Sequence, residues 1–150
     1  MNPYEVRTVR HWLEMYLDLL AMAKEKDREA LLLQVKYEEL ATPGCIRYDR
    51  EPGGGGTAKE KTSIYNEIFS HQLEADRKAA KYRSQARQIE MFIKQIDDED
   101  RYLLERAYLK GERYWEIGES LNYSKTGIQT KINRCLERVP PSLAEASGLL

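Results

Sequence analysis

A run of polar and basic side chains between Ser124 and Arg138 has the composition of a surface that contacts nucleic acid. The segment contains four basic residues and one acidic residue, so it carries a net charge of +3 in a chain whose net charge is −1. A local basic surface on a nearly neutral protein suits contact with phosphates. Lysine, glutamine, asparagine and threonine can also hydrogen-bond to base edges in a major groove. The side chains predicted to read bases are Lys125, Thr126, Gln129, Thr130 and Asn133.

The spacing of the apolar residues indicates that these polar side chains share one face of a helix. A core-facing stripe recurs at helical spacing and consists of Ile128, Ile132, Cys135, Leu136 and Val139. Ser124 stands just before this pattern and is predicted to be the N-cap of the helix. The side chains predicted to hold DNA phosphates are Ser124, Lys131, Arg134 and Arg138.

A shorter helix is predicted immediately before this one. Ile117 and Leu121 are four residues apart and would lie on one face, while Gly118 between them leaves room for another helix to approach closely. Asn122 and Tyr123 then interrupt the pattern. Two short helices joined by a tight turn form a helix-turn-helix, whose second helix lies in the major groove of DNA.

A third helix would complete a small domain over residues 97–139. The acidic run from Asp97 to Asp100 is typical of a helix N-terminus, where exposed N–H groups favour negative charge. This helix is predicted from Asp98 to Lys110, with Gly111 ending it. Residues 140–150 are expected to be a tail with little to bury.

The segment from Asp98 to Val139 resembles region 4 of bacterial sigma factors and the related helix-turn-helix modules of phage transcriptional regulators. Those modules typically have Glu-Ile-Ala, then Leu, then a Ser- or Thr-capped recognition helix, and the matching residues here are Glu116, Ile117, Gly118, Leu121, Ser124 and Ile128. The wider layout, two long helical segments before this module, is similar to phage late-gene activators of the ArpU and RinA type. The resemblance implies a DNA-binding transcriptional regulator.

Two glycines depart from that pattern. Gly118 replaces the usual alanine, which is a mild change. Gly127 lies inside the predicted recognition helix, where glycine costs about 1 kcal/mol relative to alanine. We therefore expect either a loose helix at Gly127 or an unusually close approach to its backbone.

The first 96 residues are predicted to form a helical oligomerisation region. Helices are expected over about residues 4–41 and 59–96, separated by a flexible loop over residues 42–58 that contains a run of four glycines. The first helix is expected to be continuous or slightly kinked, with a break near Asp27 as the alternative. The predicted fold class is all-α: a long N-terminal helical hairpin or coiled coil, followed by a C-terminal three-helix helix-turn-helix domain.

The second long helix has a heptad seam. Nine of its ten a and d positions are apolar or aromatic, and the positions are Tyr65, Ile68, Gln72, Ala75, Ala79, Tyr82, Ala86, Ile89, Ile93 and Ile96. The partner could be the first helix of the same chain, the same helix of another subunit, or both. We expect both, and hence a homodimer, because a single hairpin would leave Trp12, Met15, Leu19 and Phe69 without cover.

Five basic residues on this helix form a possible secondary basic patch. They are Arg77, Lys78, Lys81, Arg83 and Arg87, and no acidic residue interrupts them. One interpretation is a solvated face that pairs with acidic residues of the first helix. The other is a contact with DNA flanking the main site or with host RNA polymerase.

The sequence offers no pattern for catalysis, a cofactor or a metal. His11 and His71 lack ligands at metal-binding spacing, and the glycine run lacks the Gly-Lys-Ser/Thr ending of a phosphate-binding loop. Cys45 and Cys135 are expected to be free thiols. We therefore expect no enzymatic activity. Without an apolar run of membrane-spanning length or a signal peptide, the expected location is the cytoplasm of a bacterial host, with no membrane partner.

Three functions are compatible with these patterns. The first is a sequence-specific regulator of transcription bound to double-stranded DNA, as the resemblance implies. The second is a small DNA-recognition subunit of a phage packaging terminase, which also joins a helix-turn-helix to oligomerising helices. The third is a helix-turn-helix adaptor that binds protein, since residues 97–150 contain eight basic and ten acidic residues.

Overall fold

The computed structural model describes residues 1–41 and 58–150, and every regular element within those ranges is helical. In chain order the helices are α1 (Pro3–Glu14), α2 (Tyr16–Ala41), α3 (Ala58–Lys94), α4 (Asp98–Leu104), α5 (Tyr114–Leu121), α6 (Lys125–Arg138) and α7 (Pro141–Ala146). One π-helical turn, Glu105–Leu109, follows α4 directly. The predicted all-α fold is confirmed.

Part of the predicted layout falls beyond these ranges. Of the expected loop over residues 42–58, residues 42–57, with Cys45 and the glycine run, lie outside the described residues. Among the helices that are described, none combines the length and the apolar character needed to cross a membrane.

The first long helix is interrupted once, near its start. Asn2 caps α1: its side-chain oxygen accepts from the Glu5 N–H at 2.9 Å, and the Glu5 carboxylate accepts from the Asn2 N–H at 2.9 Å. The interruption is at Met15, whose N–H donates to the Trp12 carbonyl three residues back, at 3.1 Å. Asp27, the alternative position for a break, lies inside α2.

Residues Ala21–Tyr82 form one of two compact units, and within it α2 and α3 make an antiparallel hairpin. The Tyr65 hydroxyl donates to the Leu40 carbonyl at 2.6 Å, and the rings of Tyr37 and Tyr65 meet edge to face at 5.1 Å. At the other end of the unit, Lys26 is close enough to Tyr82 for the two side chains to interact electrostatically. The buried seam residues of this unit are Ile68, Ala75 and Ala79. The seam therefore has a partner within the same chain.

The other compact unit combines residues Met1–Leu20 with Arg83–Leu150. Its core is apolar and includes Leu13, Phe92, Leu104, Ile117, Ile132 and Leu136. α1 packs against α6, and the Trp12 ring meets the Phe92 ring edge to face at 5.2 Å. The helix-turn-helix residues thus share a core with α1 and the end of α3.

The packing of this unit corrects part of the argument for a dimer. The prediction that Leu19 lacks cover is wrong, because Leu19 is 4% exposed, and Trp12 packs on Phe92. Met15 and Phe69 do remain exposed, at 39% and 60%. The helices of one chain therefore bury more of the first helix than a bare hairpin would.

The C-terminal third differs from expectation in two places. The helix predicted from Asp98 to Lys110 changes after Leu104 into the π-helical turn, in which the Lys110 N–H donates to the Glu105 carbonyl at 2.9 Å. Residues 140–150 are not a tail with little to bury, because α7 forms there and Ala144 is fully buried. Two residues favour this short helix. Pro141 suits its first turn, and Ala144 is small enough to fit close against the core.

Candidate nucleic-acid interface

The predicted recognition helix is present as α6, and its two faces differ as the sequence indicates. The whole predicted apolar stripe is buried, namely Ile128, Ile132, Cys135, Leu136 and Val139. Cys135 is a free thiol whose pKa is raised to about 11, mainly by burial. On the opposite side Lys125, Thr126 and Gln129 are exposed. Packing thus fixes the polar side of α6 toward solvent.

Ser124 begins α6 as its N-cap. Its hydroxyl oxygen accepts a hydrogen bond from the Gly127 N–H at 3.0 Å. A Cβ at Gly127 would lie 3.2 Å from that oxygen, so the close neighbour expected at this glycine is the cap itself. The hydroxyl hydrogen of Ser124 stays available to donate to a phosphate.

The turn before α6 requires a glycine at position 118. Asn122 adopts the left-handed conformation with φ 61, and the Tyr123 N–H donates to the Gly118 carbonyl at 2.8 Å. A Cβ at Gly118 would lie 2.4 Å from the Tyr123 carbonyl oxygen. The close approach predicted at Gly118 is therefore made mainly by the backbone of the turn, which sets the angle between α5 and α6.

Replacing Gly118 with alanine is expected to destabilise the protein by about 1 kcal/mol. The clash with the turn costs about 2 kcal/mol, and only part of it is offset by the better helix propensity of alanine. Urea unfolding followed by circular dichroism measures the difference. Gly127→Ala is the matched comparison, because its methyl group would meet side-chain atoms and no backbone atom of the turn, and its loss should be smaller. A Gly118→Ala protein as stable as wild type would contradict this description of the turn.

The side chains predicted to read bases are not equally available. Lys125, Thr126, Gln129 and Thr130 are exposed. The Thr130 hydroxyl donates to the Thr126 carbonyl at 3.0 Å, so it can accept from a base amine or offer its methyl group to thymine. These four side chains lie in the N-terminal half of α6, the part that meets base edges in helix-turn-helix complexes.

Asn133, the fifth residue of that set, is held by α1. Its side-chain oxygen accepts a hydrogen bond from the Arg10 guanidinium, and it is half-buried. Arg10 also lies beside Tyr108. Burial raises the pKa of the Tyr108 hydroxyl, and the positive charge of Arg10 acts in the opposite direction. Arg10 thus links α1 to α6, and Asn133 cannot reach a base while this bond persists.

The predicted phosphate-binding side chains also divide. Arg134 is exposed, whereas the Lys131 ammonium lies 4.0 Å from the centre of the Tyr123 ring. Arg138 makes two hydrogen bonds to the Asp100 carboxylate, at 2.7 and 3.0 Å. A phosphate at Arg138 would have to compete with Asp100, so Arg134 is the best-placed arginine of the set.

The predicted secondary basic patch is exposed in both units. Arg77, Lys78 and Lys81 belong to the Ala21–Tyr82 unit, and Arg83 and Arg87 belong to the other unit. Lys78 pairs with Glu74 of its own helix at 3.2 Å. The ion pair at Lys78 is therefore made within α3 and does not require the first helix.

A buried arginine that the sequence patterns do not identify supports the helix-turn-helix. Arg106 is 9% exposed, and its guanidinium donates to the Glu112 carboxylate and to the Ser120 hydroxyl, the latter at 2.8 Å. It also lies over the Tyr102 ring, 5.5 Å from the centre. Arg106 therefore joins the π-helical turn, the following loop and α5.

Comparison with known proteins places the chain in a family. The family DUF1492, described as proteins of unknown function, matches residues 45–139, which is more than half of the chain. The chain belongs to the DUF1492 family. The DUF1492 match takes in α3 and the helices up to α6, whereas α1, with its contact to Asn133, precedes it. No curated protein and no solved structure matches the chain.

Proposed function

We propose that this protein is a sequence-specific regulator of transcription that binds double-stranded DNA with α6 in the major groove. By its resemblance to phage late-gene activators, the proposed process is activation of phage late genes in the cytoplasm of a bacterial host. The single observation that carries the proposal is the exposed, basic, amide-bearing side of α6, opposite a fully buried apolar stripe.

The N-terminal half of α6 is the part suited to base reading. α1 contacts α6 at Asn133, in its C-terminal half, and the N-terminal half is left exposed. Lys125 and Gln129 are four residues apart and so project from the same side of the helix. Glutamine can form two hydrogen bonds to adenine, and lysine can bind the acceptors of guanine. We assign base reading to Lys125, Thr126, Gln129 and Thr130.

Phosphate contacts are assigned to the margins of that surface. Arg134 lies two helical turns beyond Thr126 on the exposed side, and Ser124 and Lys131 flank the turn. Residues 97–150 together carry more acidic than basic residues. One head is therefore expected to bind weakly, and a homodimer with two heads would supply the remaining affinity and require two half-sites.

In vitro selection from a random duplex library tests the proposal directly, because such a library contains every short operator sequence. We expect enrichment of a motif with two related half-sites. The logarithm of the association constant should fall linearly with the logarithm of the salt concentration. Enrichment of no motif, together with equal weak affinity for all duplexes, would contradict sequence-specific binding.

Two alanine substitutions separate the proposed roles. Gln129→Ala should reduce the difference in binding free energy between the selected site and a variant site by about 1–3 kcal/mol. Arg134→Ala should weaken binding to all duplexes alike and reduce the salt slope by about one. Lys94→Ala removes the same charge from an exposed position outside α6 and outside the secondary basic patch, and it should change neither quantity. Equal loss of discrimination from Gln129→Ala and Arg134→Ala would contradict this division.

The protein-binding function has one observation in its favour. Trp115 and Tyr123, on α5 and the turn, are 50% and 47% exposed, and aromatic side chains are enriched in protein interfaces. Host RNA polymerase is the partner we would test on this surface, by pull-down with Trp115→Ala as the comparison. A packaging subunit would instead assemble as a ring, and light scattering that gives eight or more subunits would favour it over a dimer.

A further inference from the structure

A stripe of α2 within the Ala21–Tyr82 unit carries large apolar side chains that this unit does not bury. Leu31, Leu32 and Val35 are 59%, 64% and 42% exposed, whereas Ala23 and Ala30 are buried. At about 100° per residue, the three exposed side chains lie on the side of α2 away from those alanines. Three large apolar residues grouped on one solvent-facing stripe are typical of an interface.

Charged residues extend the same stripe at both ends, with opposite signs. Lys24 precedes the apolar group by two turns and Arg28 by one turn, and Glu39 follows it by one turn. All three are exposed and fall at helical spacing in line with Leu32 and Val35. The stripe is therefore basic at its start, apolar in the middle and acidic at its end.

We propose that this stripe, defined as Lys24, Arg28, Leu31, Leu32, Val35 and Glu39, binds the same stripe of a second copy in antiparallel orientation. The residues are arranged symmetrically about the midpoint between Leu31 and Leu32. A two-fold axis at that midpoint sets Leu31 against the second copy's Leu32, and Lys24 against its Glu39. The same axis sets Arg28 of one copy against Val35 of the other. The aliphatic part of the arginine side chain packs on the valine, and its guanidinium reaches toward acidic residues.

Self-complementarity is the argument for a second copy as the occupant. A two-fold interface uses the same patch on both subunits, so a patch whose ends have opposite charge matches itself when antiparallel. A parallel pairing would put Lys24 against Lys24 and Glu39 against Glu39, which is unfavourable. An unrelated partner would have no reason to match this symmetry.

Sedimentation equilibrium over a range of concentrations tests the interface. Wild type should be a dimer at micromolar concentration, and Leu32→Lys should raise its dissociation constant at least about thirtyfold, because two leucines are lost per dimer. Met91→Lys is the control, since Met91 is similarly exposed, at 56%, but lies on α3 in the other unit. A wild type that stays monomeric at about 100 µM, or a Leu32→Lys dimer as tight as wild type, would overturn the proposal.

Charge exchange tests the antiparallel orientation. Lys24→Glu alone and Glu39→Lys alone should each weaken the dimer about fivefold at low salt. An equimolar mixture of the two variants should form heterodimers, in which both end pairs are again of opposite charge, and the double variant should recover wild-type affinity. A mixture with no preference for heterodimers would overturn this orientation.

The inference rests on the proposed dimer but not on the proposed contact with DNA. The Leu32→Lys monomer keeps α6 unchanged, so it should bind a single half-site as wild type does at low salt. If no form of the protein binds DNA, the proposed function fails while the dimer data still decide this interface.

Discussion

Reversing two charges on α6, by Lys125→Glu combined with Arg134→Glu, is expected to weaken binding to the selected duplex at least about a hundredfold. Both side chains are exposed on the proposed interface. Each substitution removes a phosphate or base contact and places a carboxylate near the phosphates, so attraction is replaced by repulsion. Fluorescence anisotropy with a labelled duplex at about 0.1 M salt measures the change.

A matched double variant distinguishes a local effect from one of net charge. Lys94→Glu combined with Lys110→Glu makes the same change in net charge at two exposed lysines outside α6 and outside the secondary basic patch. We expect affinity within about threefold of wild type, since neither residue lies on α6. Equal losses in the two double variants would mean that the overall field of the protein governs binding. Such a result would contradict the assignment of α6 as the contact surface.

Replacing Arg106 with methionine is expected to have the largest effect on stability, a loss of about 2 kcal/mol. Methionine keeps much of the packing volume but leaves the Glu112 carboxylate and the Ser120 hydroxyl without their donor. Losing hydrogen bonds to a charged group at a mostly buried site has a cost of that order. Urea unfolding measures it, and the melting temperature should fall by about 4–8 °C.

The same variant should change how stability depends on pH. The hydrogen bond from Arg106 lowers the pKa of the Glu112 carboxyl below its ordinary value, with the charge of Arg106 adding to the effect. A lowered carboxyl pKa stabilises the fold above the unfolded pKa, and that contribution is lost as pH falls through the folded pKa. The stability difference between wild type and Arg106→Met should therefore be largest near pH 7 and shrink below about pH 4.5.

Arg101→Met is the control for this pair. Arg101 is on the same helical segment and pairs with Asp98 at an exposed site, so its loss should cost less than about 1 kcal/mol. An equal cost for Arg101→Met and Arg106→Met would show that burial does not distinguish the two arginines. A difference between wild type and Arg106→Met that grows on acidification would contradict the coupling to Glu112.

Local patterns are enough to predict the elements of the candidate interface. The apolar spacing of α6 identifies every buried residue of its stripe, and the position of Ser124 alone identifies it as the cap. Both features depend on residues within a few turns of each other, which is why periodicity finds them. The heptad seam of α3 is equally readable, and its partner is α2 of the same chain.

Contacts between distant parts of the chain cannot be read in this way. The bond from Arg10 to Asn133 joins residues 123 positions apart, and no local pattern links them. The pairing of Arg138 with Asp100 is similar, and both bonds engage side chains that the sequence assigns to the proposed contact with DNA. A weak signal does exist for Arg106, since a charged residue on the apolar side of a helix usually has a partner.

The π-helical turn and α7 escape prediction for another reason. A π-helical turn adds one residue to a helix without a distinct composition, so the segment from Asp98 to Lys110 has the pattern of an ordinary helix. α7 is six residues long, and its burial rests on Ala144, a residue too small to produce a periodic apolar signal. Tertiary packing, and not local preference, fixes both elements.

Methylation interference on the selected duplex tests the central claim most directly, because methylation of guanine N7 blocks the major groove and leaves the minor groove open. If α6 lies in the major groove, guanine methylation within each half-site should prevent binding by wild type. The interference at the guanine read by Lys125 should be lost in Lys125→Ala. Binding that is unaffected by guanine methylation, but is prevented by adenine methylation at the minor-groove N3, would contradict the account.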